Sequence, residues 1–338
     1  MKKAVILGER RAGLVEASQP KAKGEWALVE VHAAPMCTEY KAFVAGRKAE
    51  FLGHEAAGEV VEVAQPGPVK AGDRVVVMPQ AGDRTCPLCL AGDYIHCENA
   101  PDFAAVHGSL EGSATYAQYL LRQDWLLMPI PDDMSYERGS LACCALGPSL
   151  GAFETIGLDA FDTVLITGAG PVGMGAVANA RFRGARVILA EFLPWRVERA
   201  RQMGVEHIVD PRDPDATRMI KELTGGRGVD RALDCSGTVA AERLCLEATR
   251  CRGKVAYVGE CGDALGIRVS HDLIRTGISI TGSWHYNLNL YPKVLKVIQE
   301  SPLIDLLVSH MLPMSGIQEA FELSASPEHA KIILEPWE

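Results

Sequence analysis

No stretch of this 338-residue chain stays apolar for the roughly 20 residues that a membrane-spanning helix needs. Its opening, MKKAVILGERR, is basic and briefly apolar, far too short for the core of a secretion signal, and reads as a first strand. Positive charge is also in deficit. The 34 Lys and Arg against 43 Asp and Glu leave a formal charge of −9, which argues against nucleic acid or an anionic membrane as the main partner. Internal repeats and low-complexity segments are missing. What is present, 48% hydrophobic and 23% charged residues, describes a globular chain long enough for two domains, each with its own core. Ten cysteines without a secretion signal point to a reducing compartment, the cytoplasm. Clustered cysteines there bind metal more often than they pair.

The first part, to about residue 150, is rich in short strands and turns. The runs 27–33, 58–63 and 73–78 read as strands, punctuated by Gln65-Pro66-Gly67-Pro68 and Ala71-Gly72-Asp73. That pattern predicts a small β-barrel-type domain. From about residue 160, strands at 164–166, 185–190, 207–210, 229–234, 254–259 and 278–282 alternate with helix-like runs such as 216–223 and 240–249. Six such strands predict an α/β doubly wound parallel sheet. Helices at 291–300 and 317–324 and a strand at 331–334 form a tail that returns to the first domain. The expected division is thus 1–150, completed by 290–338, and 151–289.

The second domain opens on TVLITGAGPVG, in which Gly168-Ala169-Gly170-Pro171-Val172-Gly173 follows a buried strand and opens a helix. The first glycine permits the tight turn and the second lets backbone approach a pyrophosphate. The third lets the helix pack on the strand, so that free N–H groups at its N-terminus face the phosphates. Glu191, at the end of the next strand, has the position of an acceptor for ribose hydroxyls. A 2′-phosphate there would meet a like charge costing about 4 kcal/mol at ~4 Å and an effective dielectric of ~20. Arg196 offsets part of that, and NAD is favoured over NADP. Loops after later strands, with Ser236, Val258, Gly259 and Ser283, are further candidates to hold the cofactor.

Two constellations are built around cysteine. In Asp83-x2-Cys86-x2-Cys89-x7-Cys97, the short spacings let neighbouring thiolates converge on one tetrahedral ion, and the longer loop returns the last ligand. A carboxylate is an acceptable zinc ligand, so Asp83 weakens such a site without abolishing it. Four protein ligands would make this zinc structural. The second set is dispersed: Cys37, then His54 and Glu55, then Cys143-Cys144. A Cys, a His and a second Cys match the open set that leaves one zinc position for substrate.

Together, Gly53-His54-Glu55-x2-Gly58 after Cys37, the lobe cysteines and GAGPVG at 168–173 resemble the zinc-dependent medium-chain alcohol/polyol dehydrogenases over essentially the whole chain. The resemblance implies a GroES-like barrel domain, a Rossmann domain, and homodimers or homotetramers. It also implies catalytic zinc on Cys37 and His54, with a third ligand carried to Cys144 rather than Cys143, and Glu55 behind the ligands or in place of one. Three positions depart from the family pattern. The relay hydroxyl, Thr38, stands one residue early, with Glu39 in its nominal place as relay, base or added ligand. Ala42 occupies a position where some members carry a relay His. The lobe's first Cys is Asp83.

The implied chemistry is hydride transfer between NAD and an alcohol whose oxygen the zinc polarises. His285, Asn287 and Asn289, in the polar and aromatic run 283–291, suggest a polyol or sugar-like substrate with a secondary alcohol, unless that run is a surface or oligomer-contact loop. Two other readings compete. One keeps fold, zinc and a tightly held nicotinamide but ends in elimination or epimerisation, with Glu39 as an extra base. The other is a nucleotide-binding module without catalysis, which would have no use for an open Cys37, His54, Cys144 set.

Overall fold

A computed structural model describes all residues, Met1–Glu338. The chain forms two compact units. One comprises Met1–Cys144, Asn287–Gln299 and Val308–Glu338; the other comprises Ala145–Tyr286 and Glu300–Leu307.

The first unit is organised by a ten-residue strand, Trp26–Pro35, inside which the predicted run 27–33 falls. Its inward residues Val29 and Val31 are completely buried, as are Val60 and Val77 on neighbouring strands. Each such side chain contributes roughly 1.5–3 kcal/mol on leaving water. The strand pairs antiparallel with Ala56–Glu62, with Tyr119–Gln123 and with the C-terminal strand Lys331–Glu335. The sheet continues through Arg74–Val77 to Leu127–Pro129 on one side, and through Lys331–Glu335 to Val308–Pro313 on the other. A separate hairpin, Lys2–Gly8 with Arg11–Glu16, contains the expected first strand. The tail therefore does return to this unit: Leu334 pairs with Ala34, and the Met36 amide donates to the Ile332 carbonyl at 2.8 Å. That register brings Lys331 beneath the segment that ends in Cys37.

The second unit holds six parallel strands in the spatial order His207–Val209, Arg186–Ala190, Thr163–Thr167, Val229–Asp234, Thr249–Tyr257, Ser279–Gly282. Counted along the unit this is 3-2-1-4-5-6, the doubly wound order, whose direction reverses between the first and fourth strands. Val164, Leu165 and Ile166 are fully buried, as a strand covered on both faces requires. The fifth strand starts earlier than predicted and ends at Tyr257 rather than Gly259. The Val258 and Gly259 amides turn out of the ladder to donate to the Asp234 carbonyl at 3.0 and 3.1 Å. No helix is long and apolar enough to cross a membrane.

Candidate metal and dinucleotide sites

Three turns of the first unit carry the dispersed set. Cys37 follows the central strand, and His54-Glu55 follow Gly53, whose φ of +85 only glycine adopts without strain. Cys144 follows the short helix Tyr136–Ser140. Ligand atoms of Cys37, His54, Glu55 and Cys144 all lie within 4.8 Å of one another. The Cys144 thiol is 3.4 Å from His54 Nε2. Cys143 turns the opposite way, its buried thiol 3.5 Å from the Val77 carbonyl, and takes no part in the cluster.

Glu39 stands behind His54 and outside the ligand cluster. Its Oε1 lies 2.9 Å from His54 Nδ1. Its Oε2 accepts from the Tyr116 hydroxyl at 2.9 Å and from the Cys37 amide at 3.2 Å. Thr38 is exposed beside Cys37. Glu55 is fully buried; Oε1 accepts from Lys331 Nζ at 2.5 Å and Oε2 from the Cys144 amide at 3.0 Å.

These groups compete for protons. Burial opposes charge on His54, but the hydrogen bonds it donates to Cys37 and Glu39 outweigh that and push the imidazole up to about 11. The bond to Cys144 holds the Cys37 thiol well below its usual range, and the same bond raises Cys144. Burial lifts Glu55 to about 7 against the pull of Lys331. Two thiols and an imidazole confined this closely are a soft N/S donor set that a divalent ion neutralises by displacing their protons. The residues fit zinc.

The second cluster brings ligand atoms of Asp83, Cys86, Cys89 and Cys97 within 4.8 Å of one another. All ten cysteines are free thiols. Asp83 Oδ1 accepts from the Thr85 and Cys86 amides, both at 2.9 Å, and Oδ2 accepts from Asn99 at 3.0 Å. The Cys86 amide and the Asn99 side chain hold the Asp83 carboxyl well below the usual range. Oδ1 has both lone pairs committed, whereas Oδ2 keeps one. Asn287 donates to the Ala91 carbonyl at 2.9 Å, and the Leu288 amide to Gly92 at 3.1 Å. Asn287 thus fastens this lobe, and its amide is spent on backbone rather than presented to hydroxyls. His285 is buried, its ring stacked on Tyr286.

In the second unit, Gly168 has φ +82, and a Cβ on Gly173 would stand 1.9 Å from the Gly168 carbonyl oxygen. The helix Pro171–Phe182 starts there with Gly170 at its N-cap, and the Arg196 guanidinium lies within 4 Å of where a Gly170 Cβ would be. Val172 opens that helix beside Pro171. Glu191 is nearly buried. Oε2 accepts from the Ala169 amide at 2.8 Å, and Oε1 from Phe192 and Leu193 at 2.8 and 3.0 Å. Ser236, Val258, Gly259 and Ser283 all lie just past the carboxyl ends of their strands.

The region 22–132 matches the alcohol dehydrogenase GroES-like domain, and 171–300 matches the zinc-binding dehydrogenase domain. An uncharacterized zinc-type alcohol dehydrogenase-like protein of Escherichia coli is 34% identical over 89% of this chain and 83% of its own length. Sorbitol dehydrogenase of Bacillus subtilis is 32% identical over 99% of this chain and 97% of its own. The chain belongs to the zinc-dependent medium-chain dehydrogenase family. Among solved structures of this family, an alcohol dehydrogenase from Thermus sp. ATN1 superposes with a TM-score of 0.88 at 26% identity, covering 99% of both chains.

Four residues of this dehydrogenase escaped sequence reasoning. Lys331 heads a strand that reads KIILE, where a lysine looks like a solvent-facing flank. Tyr116 sits in a glycine- and serine-rich loop without periodicity. Asp234 accepts from Thr167, Ser236 and Gly237, fixing the loop beyond its strand. A Cβ on Gly175 would stand 1.7 Å from the Ala145 carbonyl oxygen. Only Gly175 left a local signal, as one more glycine in a helix that otherwise favours alanine.

Proposed function

We propose that the protein is an NAD-dependent dehydrogenase of a secondary alcohol in a polyol or sugar-like substrate. In this reading a catalytic zinc sits on Cys37, His54 and Cys144, and a structural zinc on Asp83, Cys86, Cys89 and Cys97. The observation that carries it is the convergence of two thiols and an imidazole within 4.8 Å, with a carboxylate on the far nitrogen of that imidazole. Catalysis is assigned to the first unit and NAD binding to the second.

Bound zinc would supply Lewis acidity at the alcohol oxygen, and bound NAD a hydride acceptor. Glu39 accepts a hydrogen bond from His54 Nδ1–H, which leaves Nε2 free as a ligand. Because both Glu39 oxygens are committed, the proton path falls to the exposed Thr38 hydroxyl beside Cys37. Lys331 and the Cys144 amide hold both Glu55 oxygens, so Glu55 stays behind the ligands and one metal position remains for substrate. For NAD, the helix starting at Pro171 offers free N–H groups to the pyrophosphate. The Glu191 carboxylate braces the glycine turn and keeps a lone pair for a ribose hydroxyl.

The polyol assignment draws on the sorbitol dehydrogenase relative. The elimination or epimerisation reading rested on Glu39 as a spare base, and its engaged oxygens remove that support. We also assign the protein to the cytoplasm, where ten free thiols persist, as a homodimer or homotetramer. The test is a panel of polyols, sugars and hydrophobic alcohols assayed with NAD on protein of measured zinc content. Free NADH with polyols preferred is the expected result. Turnover without net NADH, or preference for simple hydrophobic alcohols, overturns the reading.

A further inference from the structure

Tyr116 touches every segment that presents the Cys37–His54 pair. Its side chain is completely buried. Its amide and that of Thr115 both donate to the Leu52 carbonyl at 3.0 Å, gripping the turn just before Gly53 and His54. Gly53 lies close against the ring, since a Cβ there would come within 2.4 Å of a Tyr116 ring carbon. At the far end of that ring the hydroxyl donates to Glu39 Oε2 at 2.9 Å and accepts from the Cys37 amide at 3.3 Å. One side chain therefore abuts Gly53 immediately before His54, receives the Cys37 amide, and holds the carboxylate that orients His54.

We propose that Tyr116 is a positioning residue for the catalytic metal, acting through its hydroxyl. The inference rests on the zinc reading of Cys37, His54 and Cys144. Without the hydroxyl, Glu39 Oε2 loses its only side-chain donor and the Cys37 amide keeps only the 3.2 Å bond to that same oxygen. Glu39 then rotates more freely, and His54 is less firmly held with Nε2 toward the ion. Groups that orient a ligand in this way typically change metal affinity 10–100-fold when removed. The ring's packing on Gly53 and Phe321 is retained in phenylalanine, so Tyr116→Phe isolates the hydroxyl.

The experiment measures zinc release to a chromophoric chelator, together with the visible spectrum of cobalt-substituted protein, for the parent, Tyr116→Phe, Glu39→Gln and the double variant. Thermal midpoint and retention of the lobe metal serve as folding controls. Expected are a 10–100-fold loss of affinity at one site only, a shifted cobalt spectrum, and a double variant no worse than Glu39→Gln alone. Parent-like affinity and spectrum in Tyr116→Phe would overturn the proposal. So would a double variant in which the two losses multiply, because the hydroxyl would then act independently of Glu39. A parent that binds no metal through Cys37, His54 and Cys144 would instead overturn the zinc reading, which a Cys37→Ser control separates.

Discussion

The Lys331 ammonium donates to Glu55 Oε1 at 2.5 Å and to the Met36 carbonyl at 2.9 Å, with both charged side chains buried. Burial pulls the Lys331 ammonium down, but Glu55 and the neighbouring thiols prevail and hold it above its usual value. The other Glu55 oxygen accepts from the Cys144 amide, and the strand Lys331–Glu335 thereby reaches the Cys37–His54–Cys144 cluster through one carboxylate.

Lys331→Met removes the cation and strands the Glu55 carboxylate in the core. Breaking a buried pair from one side costs about 3–5 kcal/mol, whereas removing both charges together costs far less. Urea unfolding of the metal-free protein should therefore show Lys331→Met well below the parent, and Glu55→Gln with Lys331→Met recovering much of the loss. A double variant as unstable as the single one would mean that Lys331 acts through packing rather than charge.

Asp83 gives a second expectation. Replacing it with alanine removes the proposed fourth ligand and frees the Thr85 and Cys86 amides. Metal content should fall by about one equivalent per chain while the Cys37–His54–Cys144 metal remains. Asp83→Cys should instead restore a four-thiolate set and slow zinc loss to a chelator. Unchanged metal content in Asp83→Ala would remove Asp83 from the ligands.

Most of this architecture is legible in the sequence because its signals are local. The glycine spacing at 168–173, the Cys86-x2-Cys89 turn and the buried run 164–166 each depend on a few consecutive residues. The helices 291–300 and 317–324 and the strand 229–234 have the bounds that the sequence predicts. What stays hidden is set by register between distant strands. Nothing near KIILE indicates that pairing Leu334 with Ala34 places Lys331 against Glu55, 276 positions away. Tyr116 reaches Glu39 across 77 positions for the same reason. Glu39 itself is conspicuous in sequence, but its role is decided by what its oxygens meet, which is His54 Nδ1 and two donors. Asn287 is misread because polarity alone does not distinguish an amide facing hydroxyls from one clipped to the Ala91 carbonyl.

Gly173→Ala tests the dinucleotide site apart from the metals. Its Cβ would stand 1.9 Å from the Gly168 carbonyl oxygen, so the helix must move off the turn. Overpacking of this kind costs roughly 1–3 kcal/mol, and here it displaces the helix N-terminus assigned to the pyrophosphate. NAD affinity, followed by protein fluorescence, should fall at least tenfold while zinc content stays at the parent value. Parent-like NAD affinity would place the cofactor elsewhere.

Acid sensitivity of the metal-free protein follows from Glu39. Burial raises its carboxyl, but the hydrogen bond and charge of His54 prevail, with Tyr116 assisting, and bring it down from 4.5 to about 2. A carboxyl depressed in the folded state gives stability that is fully present above its unfolded pKa and is lost as pH falls through the folded one. Glu39 therefore contributes its full share above about pH 4.5 and loses it between there and about pH 2. Unfolding free energy measured by denaturant titration from pH 6 to 2.5 should decline in the parent, and less steeply in Glu39→Gln, which has no proton to take up at that position. The two curves should converge toward the acid end. Parallel curves across the window would mean that His54 does not hold Glu39 ionised, and with it the assignment of Nε2 to the metal would lose its basis.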